Sequence, residues 1–129
     1  MRQVSKVWGS EKWIENNDHY CLKEMVLFKN ACCSYHWHPV KDETFYVVVG
    51  EMRLIIGSSL YTLGPGDSKR IWPGFRHTFF GVETCSFIEV STTHSDADVR
   101  RVSRSFHYIA EELWMKAVPG MKLKASLDL

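Results

Sequence analysis

Apolar and polar residues alternate along most of the chain up to residue 91, in short runs separated by turns rich in glycine, asparagine and proline. A period of two predicts half-buried β-strands. The predicted strands cover residues 11–15, 20–29, 32–38, 45–49, 52–56, 60–63, 68–71, 77–80 and 85–91. Because no helical pattern interrupts them, we expect an all-β protein, either an antiparallel sandwich or a barrel.

The pattern changes after residue 93. Residues 96–104 are highly charged and are expected to form a loop or an edge strand, whereas residues 108–116 have a helical pattern that Pro119-Gly120 ends. We expect one domain over residues 1–129, with a barrel at about 11–91 and a C-terminal extension at about 92–129. The last ten residues are expected to form a tail or an arm onto a neighbouring subunit.

Composition narrows the classes of function. The chain has 129 residues, 45% of them hydrophobic, and a formal charge of +1, so nothing favours nucleic acid as a partner. No apolar run approaches the length of a membrane span, and the first residues lack the apolar segment of a signal peptide. The four cysteines contain no CxxC spacing and are expected to be reduced thiols. We therefore expect a cytoplasmic protein without a membrane partner.

Aromatic residues are abundant, with 5 Trp, 5 Tyr and 7 Phe. Such side chains suit the rigid walls of a cavity or the contact between two subunits. A homodimer is expected, with Trp8, Trp13 or Trp114 as candidates for the contact. The predicted core includes Phe45, Val47, Val49 and Leu54.

The residues best suited to chemistry lie in the stretch 35–50. His36 and His38 are two positions apart, so on a strand their side chains point to the same side. Residues 39–42 can form a hairpin turn, after which Glu43 begins the returning strand. Two neutral nitrogens and one carboxylate oxygen suit a divalent transition metal, and His77 is a fourth candidate ligand.

Two motifs extend this pattern. His36, His38, Glu43 and Gly50 match the form His-x-His, four residues, Glu, six residues, Gly, and a Gly-Asp turn, Pro-Gly and a histidine follow at 66–67, 73–74 and 77. In these motifs the sequence resembles the cupin superfamily. The resemblance implies a jelly-roll β-barrel that holds the three histidines and Glu43 inside, around a metal ion.

The chain departs from the usual cupin pattern at two positions. Asn30 replaces a glycine, and asparagine can adopt the same left-handed backbone shape. Trp72 replaces a proline, and neither change removes a ligand. Three imidazoles and one carboxylate leave two open positions on an octahedral ion, where a sugar or a hydroxy acid can bind. We expect Mn²⁺, with Zn²⁺, Fe²⁺, Co²⁺ or Ni²⁺ as alternatives.

A closer resemblance involves the segment Lys6-Val7-Trp8-Gly9-Ser10-Glu11, the pattern His-x-His-x-x-Lys-x-Glu at 36–43, and Ile88-Glu89-Val90-Ser91. These residues look like the small single-domain sugar isomerases of the cupin group, which include D-lyxose ketol-isomerases. The resemblance implies a metal-dependent aldose–ketose isomerase that acts on a free sugar such as D-lyxose or D-mannose through an enediol. The alternatives are an Fe-dependent dioxygenase, a non-catalytic sugar-binding cupin and a phosphosugar isomerase.

Isomerisation needs a base near the carbon and a group that stabilises charge on oxygen. Glu89 shares one side of its strand with Phe87 and Ser91 and is the predicted base, while Lys41 matches the lysine of the isomerase pattern and is the predicted donor. Arg101, with Arg104 as an alternative, and Tyr46 are predicted to bind substrate. The remaining histidines are expected at the surface or in loops: His19, His94 and His107.

Overall fold

A computed structural model of the protein describes residues 2–121, which form two antiparallel sheets and one short helix. The expected all-β jelly-roll architecture is confirmed. The first sheet has six strands in the spatial order β1-β2-β3-β11-β6-β9. Its strands are β1 (Arg2–Lys6), β2 (Gly9–Asn16), β3 (Cys21–Leu27), β6 (Glu43–Val49), β9 (Ser68–Ile71) and β11 (Cys85–Ser91).

The second sheet is centred on strand β10, which pairs with β5 and β4 along one edge and with β7 along the other. Strand β12 extends the sheet beyond β5, β13 beyond β4, and β8 beyond β7. Its strands are β4 (Ala31–Cys32), β5 (His36–Trp37), β7 (Met52–Ile56), β8 (Ser59–Leu63), β10 (His77–Gly81), β12 (Arg100–Arg101) and β13 (Phe106–His107).

The two sheets share an apolar core in which aromatic rings meet edge to face. The ring centroid of Phe87 lies 5.1 Å from that of Phe45 and 5.5 Å from that of Phe79, and Trp8 approaches Phe79 at 4.9 Å. Edge-to-face contacts at such distances add to the hydrophobic stabilisation. Phe45, Phe79 and Trp8 also line the main cavity, so this cluster is its apolar floor.

Most predicted strands are present, and the differences are confined to a few segments. Residues 52–56, 68–71 and 85–91 form strands with the predicted bounds. The strand predicted at 32–38 is instead two two-residue strands, β4 and β5. Strand β1, which was not predicted, pairs along its whole length with β2.

The helical segment is also shorter than predicted, because helix α1 spans Glu111–Lys116. Trp114 lies in this helix at 2% exposure and stacks on Phe80, and Trp8 is 5% exposed. The expectation that these tryptophans form a subunit contact is therefore wrong for both. Residues 122–129, which hold most of the predicted tail or arm, lie outside the described part of the chain. None of the helices within 2–121 is long and apolar enough to cross a membrane.

Two local features of the backbone bear on what the sequence predicts. Asn30 has a φ of 59°, which confirms the left-handed conformation predicted for this asparagine.

Val49, predicted to be in the core, is 59% exposed. The pairing of β6 with β11 shifts between Ser86 and Phe87, where a bulge inverts the alternation of inward and outward side chains. Sequence alternation alone does not show a bulge.

Candidate active site

Three histidines converge inside the barrel. His36 lies on β5 and is the direct register partner of His77 on β10, while His38 directly follows β5. Their ligand nitrogens lie within 4.8 Å of one another, a spacing that can hold a metal ion. His38 is 8% exposed and His77 is 1% exposed. The fold thus brings together residues 41 positions apart because their strands are hydrogen-bonded neighbours.

Each of these rings is oriented by a backbone carbonyl. The Nδ1–H of His36 donates to the carbonyl oxygen of Ser34 at 2.7 Å, that of His38 to Asp98 at 2.7 Å, and that of His77 to Phe75 at 2.9 Å. A carbonyl can only accept, so Nδ1 carries the proton in all three rings. Each Nε2 therefore has a free lone pair, which is the state in which imidazole binds a metal.

The carboxylate of Glu43 completes the cluster. Its Oε2 atom lies 3.1 Å from Nε2 of His77 and 3.4 Å from Nε2 of His38. Oε2 of Glu43 and Nε2 of His77 are both buried, and neither has a hydrogen-bond partner among residues 2–121. Unpaired buried acceptors that face each other are costly unless a cation lies between them. The donor set of three nitrogens and one oxygen therefore fits a divalent metal, as the sequence predicts.

Ionisation states in the cluster agree with this. Burial is the main cause that lowers the pKa of His36 well below its usual range, and the neighbouring His77 and His38 lower it further. Burial likewise lowers the pKa of His38. Burial alone would raise the pKa of Glu43, but the nearby His77, Lys41 and His38 lower it strongly. The lowered pKa values of His36 and His38 and of Glu43 favour two neutral imidazoles beside an ionised carboxylate, which are metal ligands in their binding form.

Lys41 and Glu89 form a buried ion pair beside the cluster. The ammonium Nζ of Lys41 lies 2.9 Å from Oε2 of Glu89, and the two residues are each 3% exposed. Burial would lower the pKa of Lys41, but the charges of Glu89 and Glu43 raise it, so the ammonium stays charged at neutral pH. Lys41 follows the ligand His38 in the connection to β6, and Glu89 lies on β11.

The pair keeps unused hydrogen-bonding groups. The Oγ atom of Ser91 also approaches Oε2 of Glu89, at 3.1 Å, whereas Oε1 accepts no hydrogen bond from the described residues. Lys41 uses one of its three N–H groups on Glu89, and the other two have no acceptor within residues 2–121. Glu89 Oε1 can therefore accept a proton or hydrogen bond, and Lys41 can donate.

One cavity of about 550 Å³ is lined by His36, His38, Lys41, Glu43 and Glu89. It is large enough for a small sugar. Arg101 lies at its exposed rim, as the sequence suggests. Tyr46 does not lie in the cavity: it is 44% exposed on the outer side of β6, because its alternation is opposite to that of Glu43. The structure therefore does not place Tyr46 where it can bind a substrate inside the barrel.

The cavity also contains residues to which the sequence assigned no role in the site. His94, expected at the surface, has a side chain only 15% exposed and lines the cavity. Its Nδ1 lies 3.2 Å from the ammonium of Lys23, which is 1% exposed and is also 3.2 Å from Oε1 of Glu11. Alternation along the strands can indicate that residues 11, 13 and 23 point inward. It cannot indicate their contact with His94, because His94 lies beyond the last barrel strand.

Comparison with known proteins agrees with the fold. Residues 24–91 match the family model described as "Cupin domain". A D-lyxose/D-mannose isomerase of Thermosediminibacter oceani is 31% identical over 108 aligned residues, which cover 63% of this chain and 60% of that protein. A D-lyxose ketol-isomerase of Cohnella laeviribosi is 31% identical over 109 residues, with the same coverage of 63% and 60%. The chain thus spans about 60% of the length of these relatives.

Among solved structures, Streptomyces PAC13 with uridine superposes with a TM-score of 0.73, at 16% identity, over 87% of this chain and 88% of that one. At this identity the likeness concerns the fold alone.

Proposed function

The chain belongs to the cupin domain family, and we propose that it is a metal-dependent aldose–ketose isomerase acting on a free sugar such as D-lyxose or D-mannose. The observation that carries the proposal is the buried Lys41–Glu89 pair, 2.9 Å apart, in the same cavity as the histidine cluster. The two relatives named as sugar isomerases support it, since they align with this chain at 31% identity.

The metal would be held by His36, His38, His77 and Glu43, and Mn²⁺ is the ion we propose. When bound, a divalent cation withdraws electron density from the sugar oxygens and so acidifies the adjacent C–H bond. The protein residues must then move a proton between neighbouring carbons. In this exchange the C2–H bond breaks, a C1–H bond forms, and the hydroxyl proton of O2 passes to O1.

Glu89 is the proposed base. Its Oε2 atom is occupied by Lys41 and Ser91, so the uncommitted Oε1 takes the proton from C2 and returns it to C1. Lys41 is the proposed donor: its two remaining N–H groups stabilise the negative charge that develops on the sugar oxygens in the enediol-like transition state. Low exposure around the pair strengthens both interactions, because bulk water does not screen them.

Turnover in D₂O tests the proposal. The protein is loaded with Mn²⁺ and incubated with a panel of free pentoses and hexoses and their phosphates, and NMR follows ketose formation and deuterium at C1 and C2. We expect a free sugar to give ketose carrying solvent deuterium, because the base exchanges its proton. Absence of ketose from every sugar would rule out the isomerase.

The alternatives give different products. A dioxygenase would consume O₂ with Fe²⁺ and yield oxidised carbon in place of ketose, and a sugar-binding cupin would bind without chemical change. A phosphosugar isomerase would convert only the phosphates in the panel. One oxygen electrode and one NMR series therefore distinguish the four functions.

A further inference from the structure

The cavity has a second polar pole opposite the histidines, formed by Glu11 and the residues that hold it. Glu11 is 8% exposed, and its Oε1 atom accepts from Nε1 of Trp13 at 2.9 Å and from Nζ of Lys23 at 3.2 Å. Its Oε2 atom has no hydrogen-bond partner among residues 2–121. The nearest cation is Nζ of Lys6 at 3.9 Å, on a side chain that is 34% exposed.

The wall that carries Glu11 is rigid. Nζ of Lys23 lies 4.4 Å from the centre of the Trp13 ring, and the pyrrole N–H of that ring holds Glu11. Lys23 is also the register partner of both Trp13 on β2 and Glu89 on β11. A nearly fully buried carboxylate held by two donors, with its second oxygen uncommitted and facing a cavity, is prepared to accept a hydrogen bond.

The distance between the poles suits a small sugar. Glu11 is level with Met25 on β3 and with Phe87 on β11, two residues from Glu89, so the Glu11 and Glu89 backbones lie roughly 12 Å apart along the sheet. Side chains from both strands reach into the space between them. A five-carbon chain spans roughly 5 Å at ~1.5 Å per bond. A sugar whose C1 and C2 lie near Glu89 can therefore bring its far end to Glu11.

The chemistry of this pole selects the ligand group. A hydroxyl both donates and accepts, so it can donate to Oε2 of Glu11 while it accepts from the ammonium of Lys6. A phosphate dianion carries only acceptors, so it cannot donate to Oε2 of Glu11 and would face that carboxylate directly, even though Arg2, Lys6 and Lys23 line the same cavity. We propose that Glu11 is a specificity-determining residue that binds the terminal hydroxyl of an unphosphorylated sugar. This inference takes its ligand class from the proposed function.

Binding of sugar alcohols tests the proposal without turnover. Calorimetry compares D-lyxitol, the pentitol formed by reducing D-lyxose and numbered here from the lyxose C1, with its 5-deoxy analogue and with its 5-phosphate, all on Mn²⁺-loaded protein. We expect the hydroxyl to strengthen binding about tenfold, as for a hydrogen bond to a charged group, and the phosphate to weaken it. Equal affinities for the first two, tighter binding of the phosphate, or no binding of any pentitol would overturn the proposal.

The variant Glu11→Gln should reduce the tenfold preference for the C5 hydroxyl to about twofold. Glu24→Gln is the matched control, since Glu24 lies on the exposed side of β3 and should keep the full preference. A folded Glu11→Gln protein with an unchanged preference contradicts the assignment. If this variant does not fold, the comparison of pentitols on the unaltered protein still decides. If the hydroxyl preference holds but no sugar is converted, the isomerase proposal fails and the subsite stands.

Discussion

Lys41 and Glu89 are 48 positions apart in sequence, yet their charged atoms lie 2.9 Å apart at the bottom of a polar cavity. The contact arises because β11 pairs with β6, the strand that begins two residues after Lys41. An ion pair that costs desolvation energy and sits next to a cluster of metal ligands is typical of a functional site. The following predictions test its role and that of the cluster.

Replacement of Glu89 by glutamine should remove the proposed base without changing the shape of the side chain. We expect kcat for isomerisation to fall by about 100-fold or more, the range for loss of general-base catalysis. Metal content, measured by mass spectrometry, should not change because Glu89 is not a ligand. Glu24→Gln, on the exposed side of the same sheet, should keep full activity. An active Glu89→Gln enzyme would exclude this residue as the base.

Replacement of Lys41 by methionine should destabilise the fold, because the Glu89 carboxylate is then buried without a counter-charge. We expect the free energy of unfolding to fall by about 3 kcal/mol in urea denaturation. The double variant Lys41→Met with Glu89→Met should regain much of this loss. The exposed pair of Lys29 and Glu83 is the control, since Lys29→Met should cost below about 1 kcal/mol. Equal losses at the two sites would contradict the ionic role of the buried pair.

The metal-free protein should lose stability as the pH falls below the usual histidine pKa of 6.5. Burial lowers the pKa of His36 and His38 in the folded state, so the unfolded chain binds more protons in this range. Stability is therefore complete above pH 6.5 and declines towards the lowered folded-state pKa values. Urea denaturation from pH 8 to pH 5 measures the slope. The double variant His36→Gln with His38→Gln should reduce the slope, with a remainder from His94, whose pKa burial also lowers, and an unchanged slope would assign the titration elsewhere.

Mn²⁺ should stabilise the protein at neutral pH. At a free concentration of 100 times Kd the gain is about 2.7 kcal/mol, which thermal unfolding detects. The gain should shrink towards pH 5 because protons compete for the same imidazole nitrogens. Glu43→Gln should weaken binding by roughly tenfold or more, while Asp42→Asn, an exposed neighbour bound to Arg70, should not. Equal Mn²⁺ affinities in both variants would exclude Glu43 as a ligand.

The sequence was sufficient for most of the barrel strands and for a set of candidate ligands. Alternation fixes which side chains share one side of a strand, and glycine- and proline-rich turns fix where strands end, so residues 52–56, 68–71 and 85–91 were predicted with their observed bounds. His36 and His38 were predicted to converge because two positions along a strand return to the same side. These features are local, and local features can be derived from neighbours in sequence.

Tertiary structure decided the rest, because pairing between distant strands is not encoded by local periodicity. The bulge between β6 and β11 exposed Val49, which alternation assigned to the core. Strand pairing placed Lys23 beside Glu89 and brought His94 into the cavity. The sequence by itself therefore determined the barrel strands and the candidate ligands. Only the fold decided which charges share the cavity, since that depends on strand register, burial and the need to pair every buried charge.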